Sequence, residues 1–264
     1  MEEFLIYAIL AGISMACSLC PMGVILLWKK LPYFGDAIAH AAIFGVVIGI
    51  MLHINITLSV IAISIVFGLI LVSFRQEKIE GILTIILTYT FLALGLFLLV
   101  FMSHNPQVDI FSYLFGDILL VSNLEIKLIS VVSVLVLIWL YFRWKDLLLM
   151  SINEDLAVVE GINIHRLNLE FLVIVAFLVG ISIKIIGTLL VGSMIIIPAA
   201  AARNFSNSPV AMLVLSIILG ILSVVMGIAL SYIVDSASGA SIILSASFIF
   251  LISMLPTIVK SRFS

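Results

Sequence analysis

Asp36 and His40 stand four residues apart in Tyr33-Phe34-Gly35-Asp36-Ala37-Ile38-Ala39-His40, at the start of an otherwise apolar stretch. On a helix this spacing puts a carboxylate and an imidazole on one face, one turn apart, where both can reach a single ion. One oxygen and one nitrogen suit Zn²⁺, Mn²⁺ or Fe²⁺ and give no reason to expect the thiolate chemistry of Cu⁺. Two ligands make a weak, open site. That would be a defect for a structural zinc, which is closed by four ligands, but an advantage where an ion must leave again. The competing reading is structural: an Asp–His hydrogen bond that pins two helices, or Asp36 as a helix N-cap with His40 packed. Ionisable groups inside an apolar span usually face a bundle interior and mark an ion or proton path. Residue chemistry alone leaves the two readings level.

Other polar residues fall into place around this pair. Asp109, Asp117 and Asp235 lie in polar breaks on one side of the expected topology, with His104 among them. They can form an acidic mouth to a cation path, or act as solvated caps. His53 and His165 read as loop histidines. Lys184 interrupts an apolar run, so it requires an anionic partner or a snorkelling route to an interface, and the three aspartates are the candidate partners. Cys17 and Cys20 have no third or fourth soft ligand nearby and read as packing residues. No Gly-rich phosphate loop ending in Gly-Lys-Ser/Thr occurs, so any ATP-driven step needs another subunit. No His-Glu-x-x-His pattern occurs either, which argues against an intramembrane metalloenzyme.

The elements that position these groups must be membrane helices. Of 264 residues, 64% are hydrophobic and 10% charged, and apolar runs long enough to cross about 30 Å of hydrocarbon recur along the chain. The fold expected is an all-α, polytopic membrane protein of eight or nine spans, a single domain over 1–264 with no affinity for nucleic acid. The acidic start, Met1-Glu2-Glu3, reads as a retained first span and not as a cleaved signal peptide. Spans are expected near 4–28, 36–52, 56–74, 82–102, 124–142, 169–186, 188–202, 209–234 and 240–259, with an interfacial or re-entrant element within 103–117. Gly187 and Pro198 suggest a bent or broken helix around the sixth and seventh. Alternating spans gather Lys29, Lys30, Arg75, Lys78, Arg143, Lys145, Arg166, Arg203, Lys260 and Arg262 on one face, leaving Lys127 and Lys184 toward the other. By the positive-inside rule the first face is cytoplasmic, with the N-terminus outside and the C-terminus inside. Asp36 and His40 then lie nearer the inner face than the midplane.

The longest polar stretch, 146–168, faces the cytoplasm in this scheme. Within it, Ser151 or Asn153 can cap a short helix, Glu154 and Asp155 suit its positive N-terminal end, and Gly161 suits its stop. A two-turn surface helix tethered at both ends is a natural docking knob. Its three acids argue against a helix lying on lipid.

Several of these segments together resemble the membrane subunit of bacterial metal-uptake ABC transporters, the ABC-3 family, over essentially the whole chain, and within it the high-affinity zinc permeases. They are Tyr33-Phe34-Gly35-Asp36 with Ala39-His40, Val108-Asp109 with Tyr113-Leu114-Phe115-Gly116-Asp117, and Glu154-Asp155-Leu156-Ala157 with Glu160-Gly161. A fourth is Gly187-Thr188-Leu189-Leu190 with Ile196-Ile197-Pro198-Ala199-Ala200 and Ala202-Arg203. The resemblance implies a type II importer-like permease of the bacterial inner membrane, paired with a second copy around a central path. It implies two cytoplasmic ATPase subunits, an extracytoplasmic metal-binding protein and a lipid surround. The metal is cargo and no resident cofactor is expected; zinc is favoured, with manganese or iron as the alternative cargo and an ATP-independent carrier as a further alternative. Asp36 and His40 match the family's positions for metal passage. The short helix within about 151–165, carrying Ser151, Glu154, Asp155, Ala157 and Gly161, matches its coupling element. Lys184, Gly187 and Pro198 fall to helix packing along the path.

Overall fold

Almost every apolar run forms a helix in the computed structural model, which describes residues 2–73, 80–102, 114, 116 and 118–262. In chain order the helices are α1 (Glu2–Trp28), α2 (Phe34–Met51), α3 (Ile56–Ser73), α4 (Glu80–Met102), a single 3₁₀ turn at Ile118–Leu120, α5 (Asn123–Ile152), α6 (Glu154–Val159), α7 (Ile164–Phe205), α8 (Pro209–Val234) and α9 (Ser238–Arg262). No strand occurs among the described residues. Seven of the helices are long and apolar enough to cross a membrane, and α4 adds the shorter apolar helix Ile82–Leu98.

α7 holds the main departure from a simple span. Drawn straight, its 42 residues would reach about 63 Å, roughly twice the hydrocarbon thickness of a bilayer. Gly187 breaks it at φ +74° and ψ 163°, a conformation open essentially to glycine alone. On the first limb, 164–186, Asn168 accepts a hydrogen bond from Lys29 at the end of α1. Further along, Ala176 lies by Gly68 and Gly180 by Ile61, so this limb runs antiparallel to α3. On the second limb, 188–205, Met194 and Ile195 meet Cys20 and Gly23, Ala199 and Ala202 cluster with Val24, and Arg203 shares a cavity with Leu27 and Trp28. That limb runs parallel to α1. The two limbs therefore reverse direction at Gly187, where the sequence divides the sixth and seventh spans. The six other long helices, α4 and the two limbs make nine segments between the ends of the bundle among the described residues.

Pro198 does not break the second limb. A proline in a helix interior deprives the carbonyl four residues earlier of its donor; here that carbonyl belongs to Met194, and the buried Cys20 thiol donates to it at 3.4 Å. Cys20 is therefore packed, as expected, and also partners this carbonyl.

α5 continues to Ile152, past the expected end at Phe142, and α7 starts at Ile164 ahead of the expected Leu169. Ion pairs sustain both extensions: Arg143 bonds Asp146 at 3.3 Å and Glu170 at 3.0 Å, and Arg166 bonds Glu170 at 3.1 Å. The expected polar loop 146–168 is thus mostly helix, because its charges pair across α5 and α7. Lys29, Lys30, Arg143, Lys145, Arg166 and Arg203 gather at this end, which we call the basic end, while Lys127 and Lys184 lie toward the other.

Candidate functional site

α2 follows α1 with almost no linker. Lys30 adopts φ +59°, Leu31 N–H closes onto Leu26 O, and Phe34 N–H onto Leu31 O. The N-cap of α2 is Tyr33, which makes no side-chain cap, so Asp36 sits inside the first turn and does not serve as the N-cap. Most of α2 is buried, including Phe34, Ala37, Ile38, Ala39 and Ala41. Asp36 and His40 stay on the open face, their side chains 45% and 24% exposed.

His40 Nδ1 lies 2.8 Å from the backbone oxygen of Asp36 and 3.6 Å from its Oδ1. With the proton on Nδ1, the ring donates to that carbonyl, and Nε2 keeps its lone pair outward, the state in which histidine ligates a metal. The pair shares one helix, so its contact pins no second helix. Both side chains lie on one face of α2, but the nitrogen turned toward Asp36 is Nδ1, so Nε2 and the carboxylate reach one ion only after a change of rotamer.

The wall facing Asp36 is the second limb of α7. A β-carbon at Gly192 would stand 2.6 Å from Asp36 Oδ1 and 3.3 Å from its Cα, and one at Gly35 would stand 2.7 Å from Ile195 Cδ1. Only a residue without a side chain leaves the carboxylate room there. Gly192 is closer to the Gly187 break than to the basic end of its limb, so the pair lies deeper than its place in the sequence suggests. Beside it, Leu189, Ser193 and Ile196 form a partly open stripe at helical spacing.

Among the described residues, no cluster of three or more His, Cys, Asp and Glu side chains could hold a metal. His104, Asp109 and Asp117 lie outside the described residues. Asp235 is the C-cap of α8 in the left-handed conformation, φ 52° and ψ 45°, at the end of the bundle opposite the basic end and apart from Asp36.

Lys184 pairs with Glu125, Nζ to Oε1 at 2.7 Å, an acid not among its expected partners; of the three aspartates that were, only Asp235 falls among the described residues, and it forms no ion pair with Lys184 there. Glu125 also closes a capping box with Ser122 at the start of α5. The Ser-x-x-Glu spacing was the signal that could have found it. Near the same break, a β-carbon at Gly116, φ +67°, would stand 2.2 Å from the backbone carbon of Ile186. Backbone therefore meets backbone where α7 turns.

The short helix is α6. Asn153 caps it, its Oδ1 accepting from Asp155 N–H at 2.8 Å and Leu156 N–H at 3.2 Å. Ser151 ends α5 and donates to Leu147 O, so the helix starts at Glu154, beyond the expected Ser151. At its far end, Gly161 takes φ +81°, with Gly161 N–H bonded to Val158 O and Ile162 N–H to Ala157 O, the paired closure of a Schellman stop. Ala157 is fully buried, whereas Leu156, Val158 and Val159 are 52%, 59% and 82% exposed beside Glu154, Asp155 and Glu160. The result is a rigid knob with an apolar tip and acidic flanks.

The profile of the ABC 3 transport family matches residues 1–257. The chain is 35% identical to the high-affinity zinc uptake system membrane protein ZnuB of Haemophilus influenzae, covering 96% of this chain and 98% of that one. It is 30% identical to the manganese import system permease protein ScaB of Streptococcus gordonii, covering 96% and 90%. Among solved structures it resembles PsaBC from Streptococcus pneumoniae in complex with Fab, with a TM-score of 0.84 at 28% identity, covering 96% of this chain and 91% of that one. With this match over nearly its full length, the chain belongs to the ABC 3 transport family.

Proposed function

We propose that this chain is the permease subunit of an ATP-driven importer that carries Zn²⁺ across the bacterial inner membrane by alternating access. One observation carries this reading: Asp36 and His40 lie on one open face of α2, a helix that is otherwise apolar. A second copy facing the first about a twofold axis would add another carboxylate and another imidazole. The resulting two-oxygen, two-nitrogen set suits tetrahedral zinc. Each copy would hold only half of it, so separation of the copies releases the ion.

The basic end is cytoplasmic by the positive-inside rule, which puts the N-terminus outside and α6 on the cytoplasmic surface. There α6 seats in a separate ATPase subunit, one per permease copy, and passes its closure to α5 and α7, the helices that flank it. A metal-binding protein delivers the ion to the opposite end.

Manganese is the second reading, favoured by the identity to ScaB and compatible with the same ligands. Cells deprived of zinc by a chelator and carrying this importer should grow when zinc is restored. Variants Asp36→Asn and His40→Ala should fail to grow while reaching wild-type membrane levels. Growth rescued by manganese and not by zinc would assign the cargo to manganese; normal growth of both variants would remove the site.

A further inference from the structure

At the basic end, three of the six cations named above have a side-chain partner. Arg143 pairs with Asp146 and Glu170, Arg166 with Glu170, and Lys29 bonds Asn168. Lys30, Lys145 and Arg203 form no ion pair among the described residues; Lys30 and Arg203 line one cavity at the basic end and Lys145 the next, and both cavities, together the α5–α8 cleft, are bounded by those two helices. At its basic mouth the cleft is a cavity of about 560 Å³ bounded by Trp28, Lys30, Arg203, Ser206 and Ser208. Farther from that end, the same two helices bound a second cavity of about 660 Å³, lined by Leu137, Leu140, Tyr141, Lys145 and Leu213. No acidic residue lines either cavity.

Three features select an occupant. The mouth is cationic and rich in hydroxyls, so it favours a phosphate. The rings of Trp28 and Trp144 stand 5.9 Å apart between the cavities, and tryptophan marks the level of lipid headgroups. Beyond them the walls turn apolar in the direction an acyl chain would run. Lys30 holds its place at the mouth in a left-handed turn, φ +59°, that glycine would adopt more easily. A soluble anion would leave the apolar part unfilled, and a docked protein would have to offer acids to Lys30 and Arg203 and an apolar segment beyond them.

We propose that the α5–α8 cleft binds one anionic phospholipid, its phosphate between Lys30 and Arg203 and one acyl chain along Leu137, Leu140 and Leu213, past Lys145. The cleft leads through Ser151 and Ile152 into α6, so the bound lipid braces the root of that helix.

Native mass spectrometry of the full chain, with phosphatidylglycerol or phosphatidylcholine added, tests the proposal. One phosphatidylglycerol per chain should be retained, with phosphatidylcholine held roughly tenfold less. The double variant Lys30→Gln/Arg203→Gln should lower occupancy roughly tenfold or more, and Leu140→Trp, with the cations intact, should lower it as well. Lys127→Gln, at the other end, should leave it unchanged. Equal retention of the two lipids, unchanged occupancy in the double variant, or displacement by inorganic phosphate alone would each overturn the proposal. So would a loss of the chain's self-association or of ATPase co-purification in that variant with lipid occupancy intact. Should the double variant fail to fold, the preference of the wild-type chain between the two lipids decides.

Discussion

The Asp36 carboxylate lies against Gly192 so closely that a β-carbon there would stand 2.6 Å from Oδ1. The proposed ligand face of α2 therefore depends on a residue of α7 with no chemistry of its own. Gly192→Ala should push the carboxylate out of line with His40 and cut zinc uptake by about tenfold, an overpacking penalty of about 1–3 kcal/mol acting on the site. Uptake normalised to membrane level checks this. Unchanged uptake would show that Asp36 has room to spare.

Gly187 gives a second prediction. Any side chain there meets φ +74° with ψ 163°, at a cost of about 1–3 kcal/mol. Gly187→Ala should lower the thermal midpoint of the purified chain. Gly116→Ala should do so more strongly, since its β-carbon would overlap the backbone of Ile186. A midpoint equal to wild type in both would mean that Gly116 does not meet the turn of α7 through bare backbone.

The Lys184–Glu125 pair joins α7 to the start of α5. Lys184 is more than half exposed, so the pair should contribute only about 0.2–1 kcal/mol. Lys184→Met should have a small effect on stability, and combining it with Glu125→Gln, which keeps a capping side chain at that position, should cost little beyond the single variants. Thermal scans of the two single variants and the double variant measure the coupling. A large loss in Lys184→Met that persists undiminished in the Glu125→Gln background would assign Lys184 a role beyond pairing.

Cys20 offers a way to separate packing from metal binding. Its thiol donates to the Met194 carbonyl that Pro198 leaves without a backbone donor. Cys20→Ser should keep that bond and the uptake rate. Cys20→Ala should cost about 1 kcal/mol of stability while sparing uptake. A zinc-specific uptake defect in either variant, at normal membrane level, would make the cysteine a ligand.

At α6 the prediction concerns coupling. Asn153→Ala removes a cap of about 1 kcal/mol, and Gly161→Val puts a β-branched residue at φ +81°. Both should loosen the knob and reduce co-purification of the ATPase subunit, with Gly161→Val the more severe. Full recovery of the complex in both would move the docking surface elsewhere.

Much of this was legible in the sequence, for identifiable reasons. Length and hydropathy marked the apolar core of each span, and Gly187 divided the sixth and seventh spans because a glycine there permits a conformation that other residues avoid. The Asp36–His40 pair stood out because charge is rare in an apolar span. The partner of Lys184 and the clearance at Gly192 were not legible, because each depends on which residue of a distant helix faces it. The run from Asp146 to Asn168 read as loop because its charges look like solvated residues until Arg143, Asp146, Arg166 and Glu170 are seen to pair. The depth of the pair also needed tertiary contacts, since its position in α2 alone puts it near an end.

The most direct test of the account is zinc transport into vesicles holding the complete importer, wild type beside Asp36→Asn/His40→Gln, with ATP hydrolysis measured in the same vesicles. The account predicts that zinc accumulation falls to background while ATP hydrolysis persists. Zinc accumulation at the wild-type rate in the double variant would contradict it.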